Sequence, residues 1–136
     1  MNATHLLDTS VYSQPLKASP LPGVTRRWKM IGEQRLTVSA ICQAELLHGL
    51  ELKNSPKLWA LYRSMLEHRL PILAVDSEVA AEYARIASRL RRHGQARSDF
   101  DLLIAATAKS RGLVLATCNA KHFSGIEGLA VEDWLR

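Results

Sequence analysis

Residues 96–112, "ARSDFDLLIAATAKSRG", decide how the chain is read. Leu102 through Ala106 is an unbroken apolar run, as expected of a helix buried on most of its sides. Two aspartates, Asp99 and Asp101, stand just ahead of it, and Gly112 supplies a stop. Ser98 followed three residues later by an acid fits a capping pattern, and both carboxylates favour the positive end of the helix dipole by about 0.3–1 kcal/mol. Residues two apart on a helix point roughly 200° from one another, so at most one of the pair can face a shared site. The stretch taken alone is explained by capping; its surroundings decide whether it is more.

Outward from that helix, short apolar runs alternate with longer helical patterns, the rhythm of a parallel sheet flanked by helices. Residues 5–7 read as a first strand ending at Asp8, 36–39 as a second, 72–75 as a third and 113–116 as a fourth, with a further edge strand at 129–131. Between them the spacing predicts helices over 24–32, from a Ser39 cap through Glu45 to about 52, over 56–69 with Pro56 in its first turn, and from a Ser77 cap to Gly94. Residues 119–124 read as a loop. There is no repeat, low-complexity tract or linker, and residues 1–136 are expected to form a single α/β domain.

Composition narrows the class. Of the 136 residues 47% are hydrophobic and 23% charged, an ordinary globular balance, with no run long enough to span a membrane. The opening MNATHLLDTS lacks the basic start and apolar segment of a signal peptide. Only two cysteines, Cys42 and Cys118, are present, which argues against a disulfide framework and fits a cytoplasmic protein; both are expected to be buried thiols. The net charge of +5 points to an anionic partner, most often nucleic acid. Arg89, Arg91, Arg92, His93 and Arg97 lie immediately before the two aspartates, and Arg26, Arg27 and Lys29 form a second basic group.

In a parallel sheet with helical crossovers, strand C-termini and the following helix N-termini open on one edge, where ligands bind. Asp8, Asp101 and Asn119 belong at that edge, and Glu45 can reach it from one turn inside its helix. Two carboxylates about 4 Å apart repel by roughly 1 kcal/mol in water and roughly 4 kcal/mol near a protein surface. Such a group either takes up protons or recruits a cation, and oxygen donors favour a hard ion, magnesium or manganese. Each position has a plainer reading: Asp8 in a turn with Thr9 and Ser10, Glu45 as one helix residue among many, Asn119 in a loop. An unpaired carboxylate beside Leu46, Leu47 and Leu50 would be costly, however, which favours a function for Glu45.

Four segments in order resemble the PIN-domain ribonucleases, and within them the VapC-type toxins of toxin–antitoxin pairs. "HLLDTSVYS" is similar to the family's opening strand and first metal-binding aspartate, here Asp8. "TVSAICQAELLHGL" is similar to its second strand and glutamate-bearing helix, here Glu45. "FDLLIAATAKSRGLVLAT" resembles its most recognisable segment and places the aspartate on Asp101 rather than Asp99. "TCNAKHFSGIEGLAVEDW" resembles its closing segment, ending in Asp133 and Trp134.

The resemblance implies a PIN-like three-layer fold, a short central parallel sheet flanked by helices. It implies a magnesium-dependent endoribonuclease toxin, with manganese a possible substitute, hydrolysing RNA with metal-activated water. Asp8, Glu45 and Asp101 are then the metal ligands, with Asn119 as fourth catalytic residue. Asparagine brings no charge where relatives often have aspartate, which weakens the case for a second tightly held ion. Thr9, Ser10 and Thr117 are supporting hydroxyls, and Arg92 and Arg97 candidate RNA contacts, unless they are solvated surface charge. A cognate antitoxin presenting a basic side chain and a homodimer are also implied; Trp28, Trp59, Leu61, Tyr62 and Met65 offer apolar surface, if the core does not take them. The alternative is a non-catalytic RNA-binding module on the same fold. A phosphatase using Asp8 is weaker, since Ser10 stands where a second acid would be needed.

Overall fold

The computed structural model describes residues 2–136. Its centre is a parallel sheet of five short strands in the order β3-β2-β1-β4-β5. They are β1 (His5–Leu7), β2 (Leu36–Ser39), β3 (Ile72–Leu73), β4 (Val114–Thr117) and β5 (Val131–Asp133). In the central pairs His5 lies opposite Leu36 on one side and Val114 on the other, every pair parallel. Leu6, Leu7, Val38 and Leu115 have no exposed surface, as expected of strands covered by helices on both faces. Strand order reverses beside β1: the chain builds outward through β2 and β3, then returns to the other flank with β4. The opening between the β1 and β4 C-termini is where this architecture receives ligands.

Six helices cover the sheet: α1 (Thr9–Tyr12), α2 (Pro22–Ile31), α3 (Ala40–Lys53), α4 (Pro56–Met65), α5 (Ser77–Arg92) and α6 (Asp99–Ser110). Serine caps are visible at three starts. Ser39 accepts from the Cys42 N–H at 3.1 Å, Ser55 from Leu58 at 3.3 Å and Ser98 from Asp101 at 3.3 Å. Ser77 does not cap α5: Asp76, one residue earlier, accepts the Val79 N–H at 3.0 Å and pairs with Arg111 at 2.7 Å. That helix bond, with Arg111 adding to it, holds the Asp76 carboxyl below the usual range.

Several boundaries differ from expectation. The helix from Pro56 stops at Met65 rather than Arg69, and His68 then turns the chain with φ 63°. The third strand is only two residues long, the fourth is shifted one residue on, and the last starts at Val131 rather than Leu129. Residues 119–124 are not wholly loop, since Ala120–Phe123 forms a 3₁₀ turn with Phe123 buried. Tyr62 is core, Trp28 and Trp59 pack half-buried against it, and of that apolar group Met65 alone is substantially exposed. Trp134 is fully buried, its ring nitrogen donating to Glu132, which also meets His5 at 2.9 Å. No helix among the described residues is long and apolar enough to cross a membrane.

α5 and α6 pack side by side, and Glu82 fixes the pair. Lys109 of α6 lies 2.8 Å from one Glu82 oxygen and Arg85 donates to the other at 2.7 Å. These two cations hold the Glu82 carboxyl below its ordinary value despite its burial.

Candidate active site

Asp8 ends β1 and opens α1, at the place where the strand order reverses. Its backbone N–H donates to Ala116 of β4 at 2.9 Å, and its carbonyl accepts from Val11 and Tyr12, so the residue is fixed from both sides. The side chain is buried, and its Oδ2 accepts two hydroxyls at 2.8 Å, from Ser10 and from Thr117. Neither hydroxyl is free to rotate away. Ser10 Oγ accepts the Cys118 N–H at 3.0 Å and Thr117 Oγ1 the Asn119 N–H at 2.9 Å, which leaves each O–H to point at the carboxylate. Oδ1 accepts no hydrogen bond among the described residues and remains available to a cation.

Glu45, half-buried on α3, is reached through the neighbour of Asp8: Thr9 Oγ1 donates to its Oε1 at 2.5 Å. Cys42 lies one turn earlier, its thiol donating to the Leu7 carbonyl at 3.3 Å. Burial pushes that thiol up to about 12, with the nearby charges of Asp8 and Glu45 adding to the effect, so it carries no thiolate to offer a metal or a substrate. Cys118 is only half-buried, contrary to the buried thiol expected.

Asp101 completes the acidic group from the first turn of α6. Its carboxyl is raised above the usual range, first by burial and second by the charge of Asp8, and the nearby His122 opposes the shift. Asp99 turns away from the acidic group towards α5 and, rather than an arginine, meets the Tyr83 hydroxyl, which donates to it at 2.7 Å. His122 is the residue that sequence reasoning missed. Its Nδ1 stands 3.5 Å from Asp101 Oδ2. The 3₁₀ turn after β4 brings it there, while Asn119, at the start of that turn, has an exposed side chain.

Arg97 does not project freely. Its guanidinium donates to the carbonyls of Gln95 at 2.6 Å and Ser124 at 3.0 Å, tying the loop before α6 to the end of the 3₁₀ turn. Arg92 is exposed in the last turn of α5.

The donor set suits a hard divalent ion of the magnesium type. Among the described residues no lysine or arginine lies within ion-pair distance of Asp8, Glu45 or Asp101, so these acids lack a fixed counter-charge. Nor do three His, Cys, Asp or Glu side chains there close around one point as a ready cage. A tetrahedral zinc centre needs such closure, whereas magnesium keeps several waters and is held by one or two carboxylates.

The family model described as PIN domain matches residues 5–129. The tRNA(fMet)-specific endonuclease VapC of Shigella flexneri is 30% identical over 129 residues, covering 95% of this chain and 96% of that protein. Toxin FitB of Neisseria gonorrhoeae is 35% identical over 135 residues, with 95% and 97% covered. Among solved structures, the DNA-bound VapBC of Salmonella typhimurium superposes with a TM-score of 0.87 at 31% identity, covering 97% of this chain and 98% of that one.

Proposed function

Because the chain belongs to the PIN-domain family, in its branch of VapC-type ribonuclease toxins, we propose that it cuts RNA internally at the Asp8–Glu45–Asp101 site with the help of a magnesium ion. The observation that carries this reading is a group of carboxylates, with Glu45 bound to Thr9 next to Asp8 and Asp101 close enough to feel the charge of Asp8, and with no lysine or arginine within ion-pair distance among the described residues. Magnesium, or manganese in its place, would supply Lewis acidity towards the phosphate and lower the pKa of a water.

The chain's own residues do the rest. Ser10 and Thr117 hold Asp8 in one orientation, so that Oδ1 faces the opening. Thr9 does the same for Glu45 through one oxygen and leaves the other free. Asn119 offers an amide oxygen at the lip without adding charge. Arg92 and the net charge of +5 favour approach of a polyanion. The name of the Shigella relative makes transfer RNA the first substrate class to try, in the cytoplasm where such RNA is found. A solved neighbour is a member of the VapBC family of toxin–antitoxin systems, and an antitoxin segment placing a basic side chain over the acids would silence this chain.

Asn119 favours a second reading, an RNA-binding module without catalysis, because one negative ligand is missing there. Incubation of the purified protein with initiator transfer RNA separates the two. Cleavage that requires magnesium, stops with a chelator and is lost in Asp8→Ala, Glu45→Ala and Asp101→Ala supports the nuclease. RNA bound equally by wild type and variants, with no strand cut in magnesium or manganese, would establish the binding module instead.

A further inference from the structure

On the reading that RNA is the substrate, we propose that Phe100 is a stacking platform for an unpaired nucleobase beside the phosphate to be cut. Of the seven large apolar side chains exposed among the described residues, Phe100 is the only aromatic one, with 49% of its surface open. It lies between Asp99 and Asp101 in the first turn of α6. Asp99 is drawn to Tyr83 on α5 and Asp101 faces His122 on the opposite side. At about 100° per residue, Phe100 therefore projects from the helix between these two directions, at the rim of the acidic site. One turn further along the same side of the helix, Ile104 is fully buried. The apolar side that serves the core within the molecule thus emerges bare at the rim.

No other large exposed apolar side chain belongs to its segment. Ser98 and Asp99 beside it are exposed and polar, Lys121 is exposed on the 3₁₀ turn that carries His122, and the other six exposed apolar side chains belong to other segments. A protein partner covers a contiguous apolar patch, whereas a nucleobase needs a single ring face with cations near its phosphates. Position next to the proposed metal-binding carboxylate and separation from the other large exposed apolar side chains both match the base. A stacked base must be out of a duplex, so the site is built for loops and single strands.

The test compares wild type, Phe100→Ala, Phe100→Leu and Phe100→Tyr on initiator transfer RNA, on an unstructured RNA oligonucleotide and on its fully paired duplex. Phe100 is exposed and outside the core, so all variants should melt like wild type. Stacking predicts that Ala and Leu raise KM on single-stranded RNA about 5- to 100-fold with kcat within about twofold, that Tyr retains wild-type values, and that the duplex is cut poorly by every form. Fluorescence anisotropy of the labelled oligonucleotide, read in magnesium, should show the same loss of binding whether or not cleavage follows. Equal KM and equal RNA affinity for Ala and wild type would overturn the proposal, as would full activity in Leu. A changed oligomeric mass, or lost antitoxin binding, with RNA affinity intact would assign the ring to a protein partner. A wild type that binds RNA but never cuts it contradicts the nuclease reading alone, since the anisotropy comparison still decides the role of Phe100.

Discussion

The Thr117 hydroxyl accepts the Asn119 N–H at 2.9 Å and donates to Asp8 Oδ2 at 2.8 Å, so one side chain locks the geometry of an acid 109 residues away. Thr117→Val keeps the shape and removes both bonds. It should lower RNA cleavage about 10- to 100-fold, the usual cost of losing a group that orients a ligand. Thr117→Ser should retain most activity. Initial rates at saturating magnesium check both, and an unimpaired valine variant would show that Ser10 alone suffices.

His122 of the closing segment stands 3.5 Å from Asp101, while the Asn119 side chain is exposed. His122→Ala is therefore expected to reduce turnover more than Asn119→Ala does. Steady-state kinetics of the two variants side by side give the answer, and the reverse order would return the fourth position to Asn119.

The two thiols should differ in reactivity. Burial holds Cys42 up at about 12 and also raises the half-buried Cys118. Iodoacetamide at pH 8 should leave Cys42 of the native protein unmodified and label Cys118 slowly, as seen by mass spectrometry. In denaturant both should react at once.

Glu82 couples stability to pH. Its folded carboxyl lies below the ordinary value of 4.5, so its contribution is present above that pH and is lost as pH falls through the lower folded value. Glu82→Gln should cost about 1–3 kcal/mol at pH 7, the worth of hydrogen bonds to charged partners. The gap between variant and wild type should narrow in urea melts near and below pH 4.

Much of this fold is legible in the sequence because its signals are local. Ser39, Ser55 and Ser98 cap helices as their residue type predicts, and the short strands stand out between turn residues. Asp76 displaced Ser77 because two good capping residues adjoin, and only the Arg111 contact separates them. α1 passes unnoticed because four residues carry no periodicity. Position in a parallel sheet brought Asp8 and Asp101 to one edge, yet the choice of Asp101 over Asp99 needed the family resemblance. The Tyr83 bond that makes that choice physical joins separate helices. His122 could not be read at all, since its place depends on a turn that looks like loop.

The β1–β4 pairing puts one wall of the acidic pocket at residue 8 and the opposite wall beyond residue 100. During synthesis, therefore, that pocket stays unformed until residues 114–117 of β4 have emerged to pair with β1.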